Sequence, residues 1–296
     1  MSTPFDTSHR PKIGVAERLA EDIEVITAPN AGPMTFTGTR TYLVGSGPEV
    51  ALIDPGPHDE AHLNSILQAL GTKRKIQSIV LTHRHIDHTA LVPDLKRMTG
   101  AQVYGYNSYP DRFPKTAGGE GIDHGFVADI TVSDGETISG DGWHLDVVHT
   151  PGHLADHMAL ATNGRLFSGD HVMGWATTLI SPPSGDLTEF MASLEKLLAR
   201  DETVFFPGHG APITDPKRIM HHIRDHRLMR EAQIVAALTE GPATADALTA
   251  SIYMDVSPEL HAAAKRNVFA HLIALERAGR ANSDGKVFDT ATFSIG

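Results

Sequence analysis

A chain of 296 residues with 41% apolar and 21% charged content has the composition of an ordinary globular protein, long enough for one large domain or one large and one small. Its formal net charge of −11 repels polyanions, so nucleic acid is not the default partner, and the absence of cysteine excludes disulfides and thiolate metal sites. The opening Met1-Ser-Thr-Pro-Phe-Asp-Thr has neither the basic nor the apolar region of a signal peptide, and no apolar run is long enough to span a bilayer; a cytoplasmic protein without membrane attachment is expected.

Residues 1–20 are polar and contain proline, and read as a mobile N-terminal arm or an edge segment. Ile23 to Ile26, Thr41 to Val44 and Val50 to Ile53 read as short strands bounded by Gly and Pro. Leu63, Ile66, Leu67 and Leu70 recur at helical spacing, and Gly71 supplies the stop. The apolar run Ile76 to Leu81 reads as a buried strand, and Thr82-His83-Arg84-His85-Ile86-Asp87-His88 follows it directly. Three histidines and an aspartate within six residues put four potential metal ligands on the loop leaving a strand end. Alternate positions 83, 85 and 87 need a tight turn to converge, which a regular helix does not supply. A helix from about Thr89 to Met98, stopped by Gly100, is expected next.

The stretch 105–129 is rich in Gly, Pro and charge and carries Tyr106, Tyr109, Phe113 and Phe126; its length and aromatics predict a binding lid. Ile130 to Ile138, with Asp134-Gly135 as a hairpin turn, and Trp143 to His149 read as antiparallel strands, the last closed by Thr150-Pro-Gly-His153. A second hairpin, His157 to Ala161 and Arg165 to Phe167 through Asn163-Gly164, runs into Ser168-Gly-Asp170-His171. Leu187, Phe190, Met191, Leu194, Leu197 and Leu198 mark an amphipathic helix, and the strand Thr203 to Phe206 ends in Pro207-Gly-His209-Gly. Helices over 217–238, 244–252 and 258–278 and a hairpin through Asp284-Gly285 then describe a winged-helix module. From Asp215 to Gly296 basic and acidic residues number ten each, so this module lacks the basic face that phosphates require. The apolar stripe of its last helix predicts packing on the preceding domain or a homodimer instead.

Seven ligand-type residues, His83, His85, Asp87, His88, His153, Asp170 and His209, thus punctuate four strand ends, enough for two metal ions. The layout resembles the metallo-β-lactamase fold superfamily, whose signature is His-x-His-x-Asp-His followed by a His, an Asp and a His on successive strand ends. That resemblance runs from about Ile23 to Ile213. It is similar in particular to the lactamase-β-2-like group, which covers nearly the whole chain through Thr150-Pro-Gly-His-Leu-Ala-Asp156-His157, Phe167-Ser-Gly-Asp170, and a terminal segment with His226-Arg227 and Arg230-Glu-Ala-Gln233-Ile.

The resemblance implies an α+β fold, with an αββα metallo-β-lactamase-like sandwich over 21–214 and a small C-terminal winged-helix domain over 215–296. It implies two Zn2+ per chain, with Mn2+ or Fe compatible with the same donors. His83, His85 and His153 would hold the first ion, Asp87, His88 and His209 the second, with Asp170 bridging and Asp54 orienting a ligand histidine. Asp87 and Asp170 are the carboxylates assigned to catalysis. Two divalent ions roughly 3.5–4 Å apart would lower the pKa of a bridging water toward about 7 and make the nucleophile a metal-bridged hydroxide.

The missing cysteine and the carboxylate at position 170 depart from the true β-lactamases, so antibiotic hydrolysis is not expected. Members of the group look like acyl thioesterases or single-strand-specific endoribonucleases. The net charge favours hydrolysis of a small ester or thioester, with a single-strand ribonuclease and a metal-dependent binding or regulatory protein as the alternatives. His171, Trp175, Thr177 and Thr178 are expected to line the substrate pocket and His157 to bond substrate, while Arg40, Tyr106 and Tyr109 are candidates by position only. His222 and His226, at i and i+4, read as a solvated or interface face.

Overall fold

The computed structural model describes residues 3–106, 121–254, 257, 260–286 and 290–296. Seven strands form a first sheet in chain order: β1 (Glu17–Ala20), β2 (Ile23–Thr27), β3 (Arg40–Val44), β4 (Glu49–Ile53), β5 (Lys75–Val80), β6 (Gln102–Tyr106) and β7 (Ile130–Val132). The first four are antiparallel neighbours, and β4 to β7 run parallel. Parallel neighbours need crossovers: α1 (Glu60–Leu70) returns the chain from β4 to β5, and α2 (Ile86–Thr89) with α3 (Val92–Thr99) returns it from β5 to β6. The second sheet has the order β12-β11-β10-β9-β8, from β8 (Thr137–Gly140), β9 (Trp143–His149), β10 (Met158–Thr162), β11 (Arg165–Gly169) and β12 (Val204–Pro207). Only β12 is parallel to its neighbour, because α4 (Leu187–Leu198) carries the chain back.

Alternation along the strands builds the layers. In β4, Ala51 and Ile53 face the second sheet, while Val50 and Leu52 join Ile66, Leu70 and Leu95 of α1 and α3. In β10, Met158 and Leu160 face the first sheet, while Ala159 and Ala161 pack with Phe190, Leu194 and Leu197 of α4. Both faces of both sheets are therefore buried, giving four layers, helix, sheet, sheet, helix.

Three expectations need correction. The Asp134-Gly135 turn does not close a hairpin: β7 pairs with β6 in the first sheet and β8 with β9 in the second. Gly135, at φ +83, reverses the chain, but Val132 and Ile138 on either side both enter the core between the sheets, so the turn crosses from one sheet to the other. The helix expected from Thr89 to Met98 is two pieces, since α2 ends at Thr89 and α3 restarts with Pro93 in its first turn, where a missing N–H costs nothing. The N-terminal segment is an edge segment at its end, where Glu17–Ala20 forms the edge strand β1, and is docked rather than mobile at its beginning. Phe5 sits edge-on to the His222 ring at 5.0 Å, and the Asp6 amide donates to the Gly174 carbonyl at 2.8 Å.

The C-terminal module comprises α5 (Pro216–Glu240), β13 (Ala243–Thr244), α6 (Ala245–Ile252), α7 (His261–Arg277), β14 (Ala281–Ser283) and β15 (Thr292–Ile295), with sheet order β13-β15-β14. Asp215 and Thr244 cap α5 and α6 through their side-chain oxygens. Ile234, Leu238, Leu248, Val268, Leu272, Leu275 and Phe293 form its core. The first half of α5 and Ala270 of α7 pack instead against α4, so the module rests on the outer helical layer of the sandwich. Among the described residues no helix is long and apolar enough to cross a membrane.

Candidate metal centre

Strands β9, β11 and β12 share one direction, with β10 and β8 running against them, and β4 and β5 share one direction in the facing sheet. Their C-terminal ends meet at one edge of the sandwich. Chain leaving those ends carries Asp54 after β4, His83 to His88 after β5, His153 after β9, Asp170 after β11 and His209 after β12. Two glycines let these segments close up. A Cβ on Gly208 would lie 2.3 Å from Asp170 Oδ1, and one on Gly169, whose φ is +48, would lie 2.6 Å from His157 Nε2.

The seven ligand-type residues converge as two groups, His83, His85, His153 and Asp170, and Asp87, His88 and His209, each with donor atoms within 4.8 Å of one another. In the first group His83 Nε2 and His153 Nε2 both lie 3.0 Å from His85 Nδ1. In the second, His209 Nε2 and His88 Nε2 lie 3.4 and 3.5 Å from Asp87 Oδ2. Asp170 faces both: Oδ2 is 3.8 Å from His83, 3.7 Å from His153 and 3.3 Å from His209, and Oδ1 is 3.6 Å from His88. Asp87 and His88 sit on the one-turn helix α2, whereas His83 and His85 precede it on the loop. The motif therefore converges by loop and helix together.

Hydrogen bonds behind the site assign the tautomers. Asp54, held at φ +50, accepts from the Thr82 amide at 2.8 Å, the Thr82 hydroxyl at 2.7 Å and His88 Nδ1 at 2.9 Å. Because Thr82 spends its proton on that carboxylate, its oxygen can only accept from His83 Nδ1 at 2.9 Å. His153 Nδ1 donates to the Leu179 carbonyl at 3.0 Å and His209 Nδ1 to that of Gly38 at 3.4 Å. Each of these four rings thus turns the lone pair of Nε2 toward the centre. Asp87 is steadied by the Thr39 hydroxyl, 3.0 Å from Oδ2.

The electrostatics have the same sense. Burial, then neighbouring imidazoles, hold His83 well below its ordinary value and bring His85 down to about 3, so these rings are neutral and ready to donate lone pairs. Burial also opposes a charged His88, but Asp87, Asp54 and Asp170 outweigh it and raise the ring to about 10; His209 is raised by Asp170 and Asp87 in the same way. Carboxylates that draw protons onto buried imidazoles are demanding positive charge. His88 Nε2 and Asp170 Oδ1 are buried without a hydrogen-bond partner among the described residues. Orphaned atoms, converging imidazoles and carboxylates that draw positive charge onto their neighbours fit divalent cations with nitrogen and oxygen ligands.

A pocket of about 300 Å³ opens onto this floor, reaching His85, Asp87, His153, Asp170 and His209. Its walls are Met34, Ile122, Leu154, Met173 and Leu179, and Thr35, Ser181, Ser184 and Arg266 supply the other polar groups. The expected pocket residues lie elsewhere. His157 is fully buried; its Nε2 accepts from the Asp170 amide at 3.1 Å and its Nδ1 bonds the Thr150 hydroxyl at 2.8 Å, so one nitrogen braces the Asp170 backbone, the other is held by Thr150, and none is left for substrate. His171 is buried and stacked on Phe190 at 4.3 Å. Buried Thr178 donates to the carbonyls of Asp170 and His171, and Trp175 stacks on Phe36 at 4.9 Å. Thr177, half-buried, is not part of the lining either.

The segment after Asp170 turns inward to hold that residue's backbone, which is why proximity in sequence misplaced it. Arg40 is buried on β3 and bonds Thr27, away from the pocket, and Tyr106 stacks on His149 at 3.9 Å. Tyr109 and Phe113 lie outside the described residues. Of the expected lid, Gly121 and Ile122 line the pocket, pinned by the Ile86 amide on the Gly121 carbonyl at 2.6 Å. The wall residues, Thr82 and Arg266 carry no signal in the sequence, since scattered apolar residues in loops, a lone Thr and an Arg 57 positions after His209 form no motif.

The sequence matches the metallo-beta-lactamase superfamily over residues 34–209 and the beta-lactamase associated winged helix domain over 244–290. A beta-lactamase-like protein 2 homolog of Drosophila melanogaster is 35% identical over 288 residues, 90% of this chain and 92% of that protein. An atrochrysone carboxyl ACP thioesterase of Aspergillus chevalieri is 32% identical over 237 residues, 79% of this chain and 71% of that protein. In fold, the chain is similar to a metallo-beta-lactamase family protein from Thermus thermophilus, with a TM-score of 0.78 at 23% identity over 94% of this chain and 100% of that one.

Proposed function

Because the chain belongs to the metallo-beta-lactamase superfamily and carries its associated winged-helix domain, we propose that it is a metal-dependent thioesterase acting on small acyl thioesters. Two divalent ions, zinc before manganese or iron, would be held by His83, His85 and His153 on one side and Asp87, His88 and His209 on the other, with Asp170 shared. The observation that carries this reading is the pocket. Five apolar side chains stand over the His/Asp floor, and among the described residues the one lysine or arginine on its lining is Arg266, an environment suited to an acyl chain and ill suited to a polyphosphate backbone. The thioesterase relative supports the same substrate class.

Bound by these residues, divalent ions would supply Lewis acidity, the chemistry that polarises a carbonyl and acidifies water. The protein does the rest. Asp54 and Thr82 hold His83 and His88 in one tautomer, the Leu179 carbonyl orients His153, and His157 fixes the backbone of Asp170. Met34, Ile122, Leu154, Met173 and Leu179 bind the acyl chain and limit solvent around the scissile C–S bond.

The test is purified protein loaded with zinc, manganese or iron and assayed on acyl thioesters, bis-nitrophenyl phosphate and single-stranded RNA. Metal-dependent release of thiol is expected. Cleavage of RNA without thioester turnover would overturn the reading.

A further inference from the structure

Arg266 reaches the pocket from the winged-helix module, not from the sandwich that builds the metal centre. It lies on α7, and its Nη1 donates to the Ser181 hydroxyl at 2.8 Å. The next residue explains why it is held there. Asn267 Oδ1 accepts from the Ile180 amide at 3.2 Å and from Arg227 Nη1 at 3.0 Å, and Arg227, buried on α5, also donates to the Thr178 carbonyl. These bonds lock α7 onto the segment 178–181, the segment whose Thr178 hydroxyl holds the Asp170 carbonyl at 2.7 Å. Module and metal centre share one rigid strap.

We propose that Arg266 is a specificity-determining residue, which receives an oxyanion group, a carboxylate or a phosphate, carried by the thioester substrate. This inference rests on the thioesterase reading. A pocket of about 300 Å³ is at the small end of ligand sites, so a molecule that fills it touches floor and Arg266 together. An anion could not be left against Met34, Leu154 or Leu179 without a large desolvation penalty, whereas a guanidinium beside Ser181 and Ser184 offers charge-assisted hydrogen bonds. The winged-helix module thereby becomes a wall of the active site.

The experiment compares three thioesters of one acyl length with the metal-loaded, full-length protein: a neutral acyl N-acetylcysteamine, the same thioester with a terminal carboxylate on the acyl chain, and the neutral acyl group on phosphopantetheine. Wild type should favour at least one anionic substrate over the neutral one in kcat/KM. In Arg266→Gln that ratio should fall roughly ten- to a hundredfold, chiefly through KM, the value of a charge-assisted hydrogen bond. Arg266→Lys should restore part of it, since the charge remains without the planar fork. A preference confined to the acyl carboxylate places the anion on the acyl side, and one confined to phosphopantetheine places it on the thiol side.

Equal hydrolysis of all three by wild type, or an unchanged ratio in Arg266→Gln, would overturn the role of Arg266 while leaving the thioesterase reading intact. If the glutamine variant does not fold, the lysine variant decides in its place: a ratio below that of wild type supports the role of Arg266, and an unchanged ratio overturns it. Failure of wild type on every thioester would sink the thioesterase reading and this inference with it.

Discussion

The metal-centre edge and the core of the winged-helix module both gather residues distant in sequence, but by opposite means. The module core is built from Ile234, Leu238, Val268, Leu272, Leu275 and Phe293, side chains that gain by leaving water and ask nothing further of their neighbours. The edge gathers five imidazoles and two carboxylates, and two of these groups, His88 and Asp170, have buried atoms with no hydrogen-bond partner among the described residues. Burying such groups is unfavourable unless something pairs with them. One region is complete as protein, the other is expected to be complete only with cations bound, and metal removal should separate them.

Asp170→Ala is the sharpest way to probe that difference, because its two oxygens face both ligand groups. The variant should lose metal at both positions and turnover by roughly three orders of magnitude, the several kcal/mol that metal-assisted charge stabilisation supplies. Metal analysis with kinetics checks this; full activity with two bound ions would refute the shared role. Asp54→Ala should act less severely. Removing the acceptor of His88 Nδ1 and the Thr82 hydroxyl frees two ring orientations, and metal affinity should drop about 10- to 100-fold.

Stability measurements extend the comparison. Chelation should lower the melting temperature by roughly 5–10 °C, the effect expected when a ligand contributing a few kcal/mol is withdrawn from a protein of this size. Leu272→Ala should cost about 2–5 kcal/mol through the cavity it leaves, with metal content unchanged. An unshifted melt in verified metal-free protein, or metal loss in Leu272→Ala, would remove the distinction between the two regions.

The smallest effect concerns acid. Burial brings His271, on α7 near Arg227, His226 and Arg230, down to about 3 from an ordinary 6.5. Below pH 6.5 the unfolded chain takes up a proton there that the native protein refuses until about pH 3, so the associated stability is present above 6.5 and is lost as pH falls through that window. His271→Leu should flatten the decline by one proton, about 1.4 kcal/mol per pH unit. Equilibrium unfolding between pH 4 and 7 gives the slopes.

The residues legible from sequence were those whose chemistry is local. His83, His85, Asp87 and His88 stand in one motif, and His153, Asp170 and His209 each follow a strand beside Gly or Pro, so donor type and spacing marked all seven before any contact was known. Strand alternation and helical periodicity likewise located most elements of the sandwich, since burial of one face is written into every second or every third to fourth residue. Pairing was less legible. Asp134-Gly135 specified a reversal of the chain, but only the competition between two sheets for Val132 and Ile138 decided that the strands part there.

By itself the sequence determined the set of ligand-type residues and the strand ends that carry it, because each depends on residue type at short range, while the four-layer sandwich was implied only by the family resemblance. The tertiary structure alone decided which ligand-type residues lie together, through distances set by sheets closing on each other, and which side chains line the pocket. His157, His171 and Thr178 lie near Asp170 in the chain yet are buried behind it, while Ile122 and Arg266 arrive from a loop and from another module. A pocket wall is defined by the space between elements, and that space exists only once their packing has been settled.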